Sequence, residues 1–278
     1  MPRLPIGDVV EAIVDFLLDN IGFIFDFINE VVIAMIMFVE GILLGMPIVV
    51  FAVVVMLIAW KAAGRGVAIF TIVGVFIITN VGLWQPSMQT LALVLTAEII
   101  TLVFGLPLGI AMAKSDVLDQ TVRPILDFMQ TMPAFVYLIP AVMFFSLGRV
   151  PGVMATIIFS MPPMIRLTSL GIKQVPEDLV EAGYAFGATP AQLLLKVELP
   201  HALTTIMAGV NQSIMLALYM VVIAAMIGAG GLGSMVLRGV QRVNVGMGFE
   251  SGLAVVILAI LLDRITQGFG TKKQNGSD

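Results

Sequence analysis

The stretch EDLVEAGYAFGATPAQLLLKVELPHA, residues 177–202, is helix-forming and carries charge inside a chain that otherwise reads as membrane from end to end. Its pattern is that of two short helices joined by a glycine turn. Pro176 precedes Glu177 and Asp178; a proline forfeits no hydrogen bond at a helix start, and acids there meet the positive end of the helix dipole. That first helix carries Glu181. Gly187 breaks it, and Thr189, Pro190 and Gln192 then read as an N-cap, an N1 proline and the returning side chain of a capping box. A second short helix follows, with Leu193, Leu194 and Leu195 on it and VELP at its end. Two short helices therefore project with an apolar tip, which suits a groove in a partner and offers a way to pass a push into the membrane. The competing reading is an ordinary loop lying on the bilayer.

The setting is a bilayer. Of 278 residues, 59% are hydrophobic and 12% charged, with mean hydropathy +1.08, whereas soluble domains are about a quarter charged. Apolar runs near the length that crosses a hydrocarbon core predict an all-α integral membrane protein with about seven spans, at 46–60, 67–84, 89–113, 128–148, 152–170, 206–227 and 250–267. Lys61 and Arg65, Lys114 and Arg123, Lys173 and Lys196, and Lys272 and Lys273 fall in alternate loops. The positive-inside rule makes those loops cytoplasmic, with the N-terminus outside and the C-terminus cytoplasmic, although Arg149, Arg238 and Arg242 fall on the outer side. No basic region followed by a short apolar run and a small-residue cleavage site opens the chain, so the mature protein is expected to begin near Met1.

The N-terminal part is different in kind. Asp8, Glu11, Asp15, Asp19, Asp26 and Glu30 recur at helical spacing opposite Val9, Ile13, Phe16, Phe23, Phe27 and Ile28, which predicts an acidic amphipathic helix on the outer face or packed on other helices. The run from Val31 to Trp60 is too long for one span and too short for two, and Glu40 interrupts it, so an eighth membrane element is open. The resulting division is an arm over 1–45, accessory membrane helices over 46–85, a core over 86–270 containing the loop at 177–200, and a tail over 271–278.

Reactive chemistry is absent from the pattern. The chain has no cysteine and one histidine, His201, which leaves no thiolate or multi-histidine metal site. It has no phosphate-binding lysine loop, no nucleophile elbow and no carboxylate pair with a shared pocket, so no catalytic residue, metal or nucleic-acid partner is expected. GAGGLG places Gly228, Gly230 and Gly233 as a dinucleotide fingerprint would, but a long apolar helix leads in where a strand is required. A glycine-rich turn at the outer face is the better reading. The NQS triplet at 211–213 lies inside a predicted span and is inaccessible to glycosylation. Gly105 and Gly109 in GLPLG read as a helix-packing surface, with Pro107 offering a kink as the alternative.

The segment EAGYAFGATPAQLLLKVELP resembles the EAA loop of ABC importer permeases, whose pattern is E-A-A, three residues, G, nine residues, I, one residue, L-P. Glu181, Ala182, Gly187, Leu199 and Pro200 match, Gly183 stands for the second alanine, and Val197 stands for isoleucine. The resemblance implies that the loop docks on a nucleotide-binding subunit, with Glu181 bracing the turn and the helix from Thr189 to Lys196 entering the ATPase cleft. The coupling set it implies is Glu181, Ala182, Gly183, Gly187, Thr189, Pro190, Gln192, Leu193, Leu199 and Pro200. ATP and magnesium would then act on that partner; this chain would be a transport subunit with no cofactor of its own.

PILDFMQTMPAFVYLIPAVMFF, PGVMATIIFSMPPMIRLTSLGIKQVP and NQSIMLALYMVVIAAMIGAGGLG further resemble permeases of glycine betaine and proline betaine importers, a likeness covering residues 86–267. It implies a type I ABC importer permease fold in the cell membrane, with a five-helix core and extra N-terminal helices. It also implies two permease copies, two ATPase subunits, an extracytoplasmic binding protein and a role in osmoprotection. A quaternary ammonium is held by aromatic faces, yet Phe135, Tyr137, Phe144, Phe145 and Tyr219 are spread along helices, which assigns the cage to the binding protein. Gln130, Met132, Phe135, Tyr137, Asn211, Gln212 and Ser213 are the translocation-pathway candidates; for the last three, hydrogen bonding between helices is an equal alternative. Glu98 falls mid-span, where a carboxylate must be protonated, paired or beside water. A gradient-driven secondary transporter, and an ABC permease for another small amine or an amino acid, are the alternatives.

Overall fold

A computed structural model describes residues 6–271. Its helices are α1 (Ile6–Gly45), α2 (Ile48–Ala63), α3 (Arg65–Asn80), α4 (Trp84–Lys114), α5 (Asp116–Thr131), α6 (Leu138–Phe145), α7 (Arg149–Lys173), α8 (Glu177–Ala185), α9 (Pro190–Leu193), α10 (Leu199–Ala224), α11 (Gly231–Gln241) and α12 (Val245–Thr271). No strand occurs among the described residues. Five helices are long and apolar enough to cross a membrane, and α5 with α6 adds a sixth candidate bent by 108°. The two 16-residue apolar helices α2 and α3 are shorter, reaching about 24 Å at 1.5 Å per residue.

The addition to the expected spans is α1. The acidic arm and the first part of the ambiguous run, to Gly45, lie in α1, which is two helical segments joined at a kink at Ile21 (φ −129°, ψ 19°); the rest of that run, from Ile48, is in α2. The sequence suggested a boundary because its charges thin out after Glu30, but nothing between Ile21 and Gly45 breaks the helix. Phe25 stacks on Phe144 with centroids 4.4 Å apart, and Glu40 pairs with Arg149 at the start of α7. Both contacts fall where α6 gives way to α7.

Small residues set the helix spacing, as they must where lipid supplies no hydrophobic drive for association. The central helix α7 lies between α4 and α10. A Cβ on Gly109 of α4 would stand 2.6 Å from Thr168 Cβ and 2.8 Å from the Ile165 carbonyl oxygen, so the GLPLG segment is a packing surface against α7. On the other side, Gly209 of α10 approaches the backbone of Met164. Gly268 of α12 meets the Ala62 carbonyl, and Gly74 of α3 meets Ile257 of α12, which fastens the accessory helices α2 and α3 to the core.

The end of the bundle remote from residues 177–200 is closed by the glycine-rich turn. Gly228, Gly230 and Gly231 adopt φ of +87°, +88° and +66° between α10 and α11. The Leu232 N–H donates to Thr90 Oγ1 at 2.8 Å, and the Gly148 N–H to the Ile227 carbonyl at 3.0 Å. These bonds dock the turn on α4 and on the start of α7. A helix leads into it and no nucleotide fold surrounds it.

Candidate functional site

The 177–200 loop folds as a glycine turn between α8 and α9. The Phe186 N–H donates to Ala182, the Gly187 N–H to Tyr184 and the Ala188 N–H to Gly183, at 3.0, 2.9 and 3.0 Å. This closure needs Gly187 at φ +78°, a left-handed conformation that costs an L side chain energy. The capping box is complete: Thr189 Oγ1 accepts the Gln192 N–H at 3.3 Å, and Gln192 Oε1 accepts the Thr189 N–H at 2.9 Å. Pro190 occupies the first turn.

Two features of the loop differ from the sequence reading. Leu193 is not on the apolar tip: it is 1% exposed and turned onto α8, where a Cβ on Gly183 would come 2.5 Å from Leu193 Cδ1. The leucine thus fills space that an alanine at 183 would contest, which accounts for the glycine. Three consecutive leucines point in directions about 100° apart, and the sequence does not say which one faces inward. The outward apolar groups are Phe186, 92% exposed, and Leu195, 64% exposed, with Tyr184 beside them.

The second difference is that α9 does not stop at VELP. Leu194–Glu198 form a π-turn, in which the Leu199 N–H reaches back five residues to Leu194, and the path continues into α10 through Pro200. The wider turn accommodates a proline that cannot donate. Glu181 and Ala182 are exposed, and Glu181 has no partner within the chain among the described residues. Leu199 is half-buried and Pro200 exposed.

Ionic contacts that the sequence pattern did not reveal surround the loop. Lys114 Nζ, at the end of α4, donates to the buried Glu198 at 2.5 Å. Asp119 on α5 accepts from Arg123 Nη2 at 3.0 and 2.8 Å on its two oxygens, and from Lys173 Nζ at 2.8 Å. Arg166 Nη2 donates to Asp127 at 2.5 Å. These partners lie 39 to 84 positions apart except for Arg123 and Asp119, so no local signal marks them.

Between α5, α7 and α10 lies a cavity of about 360 Å³. It brings Gln130 and Gln212 together, 82 positions apart in sequence, with Arg123, Arg166, Ser169 and Lys173 also on its wall. The other pathway candidates go elsewhere. Asn211 Oδ1 lies 2.9 Å from the Thr266 hydroxyl of α12, and Ser213 Oγ donates to Glu98 Oε1 of α4 at 2.6 Å, so both tie helices together; Glu98 Oε2 is buried without a partner. Tyr137 is buried and its hydroxyl donates to the Met129 carbonyl; Met132 is half-buried against the core, and Phe135 is exposed. The cavity has more cationic than anionic groups on its wall, Arg123, Arg166 and Lys173 against Asp119.

Over 99% of this chain, 52% of residues are identical to the glycine betaine transport system permease protein OpuAB of Bacillus subtilis, 98% of which is covered. The glycine betaine/proline betaine transport system permease protein ProW of Escherichia coli is 57% identical over 83% of this chain and 65% of its own length. The glycine betaine/carnitine transport permease protein GbuB of Listeria monocytogenes is 48% identical over 99% of both chains. Among solved structures, a chain of the inward-facing MetNI methionine ABC transporter superposes with a TM-score of 0.63 at 22% identity, over 71% of this chain and 96% of that one, which is a likeness of fold. Residues 105–271, from the middle of α4 through α12, match the family described as the binding-protein-dependent transport system inner membrane component. With the glycine-turned loop, the small-residue core and relatives matched along the whole length, this chain belongs to that family of inner-membrane transport components.

Proposed function

We propose that this chain is the transmembrane permease subunit of an ATP-driven importer for glycine betaine and proline betaine type solutes, and that it serves osmoprotection. The observation that carries the reading is identity at the level of one residue in two to a glycine betaine permease over essentially the entire chain. The loop geometry supports the mode of action. A left-handed Gly187 holds Phe186, Tyr184 and Leu195 outward as an apolar docking face, which a groove on a cognate ATPase subunit would bury. ATP and magnesium belong to that partner, and this chain contributes transmission and passage.

The assembly we infer has two copies of this chain, two ATPase subunits and an extracytoplasmic binding protein that delivers the solute. A second copy is supported by the uncovered Gln212 and Tyr219, seven residues apart on α10, with exposed Met226 in the turn that follows and exposed Phe135 and Ile139 elsewhere on the surface. Gln130 and Gln212 on the cavity wall are the pathway residues of this reading. The loop end is cytoplasmic: Lys114, Lys173 and Lys196 lie there, and Lys61 and Arg65 join them where the α2–α3 turn packs on Gly268. The N-terminus is outside on the reading that α1 lies along the outer face; if α1 crosses as an eighth span, the same loop charges put it inside.

The test is uptake of labelled glycine betaine into proteoliposomes holding the permease with its ATPase, loaded binding protein being added outside. Uptake that requires ATP and persists when ion gradients are collapsed bears the reading out. Uptake driven by a gradient without ATP refutes it in favour of a secondary transporter, and ATP-driven uptake of an amino acid with no betaine uptake refutes the substrate.

A further inference from the structure

The docking loop is tied at both ends to one place. Lys173, where α7 runs into the loop, donates to Asp119 at 2.8 Å. Glu198, where the loop runs into α10, accepts from Lys114 at 2.5 Å. Lys114 and Asp119 flank the elbow at Ser115, which ends α4 and caps α5 by accepting the Leu118 N–H at 3.3 Å. The two pairs have opposite polarity: the loop entry presents a cation to the elbow and the loop exit presents a carboxylate. Beyond the elbow, α5 carries Arg123 and Gln130 onto the cavity wall.

We propose that Lys114, Asp119, Lys173 and Glu198 are positioning residues that transmit displacement of the docking loop to the α4–α5 elbow, and through α5 to the wall of the cavity. The inference rests on the importer reading above. Without these pairs, a push on the loop reaches α5 only by way of α7, through the cluster of Leu126 with Ile165 and the Arg166–Asp127 pair. With them the two ends of the loop are themselves tied to the elbow. The π-turn is part of the device. Its extra residue per turn brings Glu198 inward to 3% exposure, and turns of this kind recur at functional sites. A carboxylate so buried is tolerable only beside a cation. Lys114 is 44% exposed at its side chain and can be rehydrated if its partner is removed. Glu198→Gln is therefore the milder cut, since Lys114→Gln would strand the carboxylate.

The experiment uses the complete complex of permease, ATPase and binding protein in proteoliposomes, and reads solute transported per ATP hydrolysed for each assembled complex. In Glu198→Gln, and independently in Asp119→Asn at the other clamp, ATP hydrolysis stimulated by loaded binding protein should persist while solute per ATP falls roughly two- to thirty-fold, the range of coupling effects along contiguous networks. The double variant Lys114→Glu with Glu198→Lys should recover the ratio. A residue that only holds the fold lowers hydrolysis and uptake by the same factor, so an unchanged ratio in both single variants overturns the proposal. An assembled swap variant that recovers nothing also overturns it. If the unaltered complex shows no ATP-dependent uptake, the importer reading fails instead, and the two failures are told apart by that control.

Discussion

Replacing Gly187 isolates the torsional cost of the docking turn. No atom lies within 4 Å of the position a Cβ would take, so a substitution meets no clash and pays only for holding φ at +78°. For an L residue the left-handed region costs about 1–2 kcal/mol, asparagine is the side chain that visits it most readily, and a β-branched valine is worst placed there. Strained backbone of this kind costs of order 1–3 kcal/mol. Gly187→Ala should thus depopulate the closed turn relative to open forms roughly five- to thirty-fold. Gly187→Val should reach the upper end of the strain range, and Gly187→Asn should fall between glycine and alanine. Gly187→Pro fixes φ near −65° and removes the donor to Tyr184, so it forbids the turn outright. Because docking needs the closed turn, apparent affinity for the ATPase subunit falls with its population. The assay is titration of purified ATPase onto membrane-inserted permease, with uptake measured on the same preparation. The order Gly, Asn, Ala, Val in affinity is the expected result, with Val and Pro abolishing transport while the permease stays in the membrane. A valine variant that binds and transports normally would refute the turn geometry, and an asparagine variant as poor as valine would refute the torsional argument.

The two apolar positions of the loop should separate cleanly. Phe186→Asp, at an exposed site, should shift stability of the free permease by no more than about 0.5 kcal/mol yet abolish docking, and a cysteine at 186 should crosslink to the ATPase groove. Leu193→Ala, in the loop's own core, should cost about 2–5 kcal/mol, seen as proteolytic opening of 177–200 before any partner is added. Gly109→Leu pushes against Thr168 and the Ile165 carbonyl, so thermal unfolding in detergent should reveal a loss of about 1–3 kcal/mol or more. Gly41→Leu, with nothing within 4 Å, is the control and should unfold with the parent. Deleting residues 1–30 removes most of α1, with the Phe25 contacts to Phe144 and Phe145 and the Ile28 packing, but keeps Glu40 on Arg149, so the bundle should still insert, less stably by at least the roughly 0.5–1.5 kcal/mol of one aromatic pair. A cysteine at Asp15 in the full chain should react with an impermeant thiol reagent outside intact cells; labelling only after lysis would reverse the orientation.

What was legible in the sequence was local. The capping box of Thr189 and Gln192 and the glycine turn at Gly187 follow from residue types at fixed offsets, because the atoms involved are never more than a few residues apart. The helix-packing role of Gly105 and Gly109 was also readable, since a glycine in a membrane helix has few other uses. The inward turn of Leu193 was not, because it depends on which leucine meets Gly183 across the turn. The extension of α1 past Glu30 to Gly45 is hidden by the charges, which mark exposure and not a helix end. The Lys114–Glu198 and Lys173–Asp119 pairs and the meeting of Gln130 with Gln212 depend on how α4, α5, α7 and α10 cross. A one-dimensional pattern of apolar runs fixes the helices without fixing their neighbours.

Asn211, Gln212 and Ser213 constrain how a passage beside α10 could open. Successive residues on a helix are about 100° apart, and these three look toward α12, into the cavity and toward α4 respectively. Spinning α10 about its own axis to withdraw Gln212 would break the Asn211–Thr266 and Ser213–Glu98 bonds together and would leave Glu98, whose Oε2 already has no partner, with neither oxygen bonded in the interior of the bundle. Tilting α10 with α4 and α12 as one body breaks neither. An opening that keeps both bonds would therefore act as a lever and not a roller, changing the angle between rigid groups of helices.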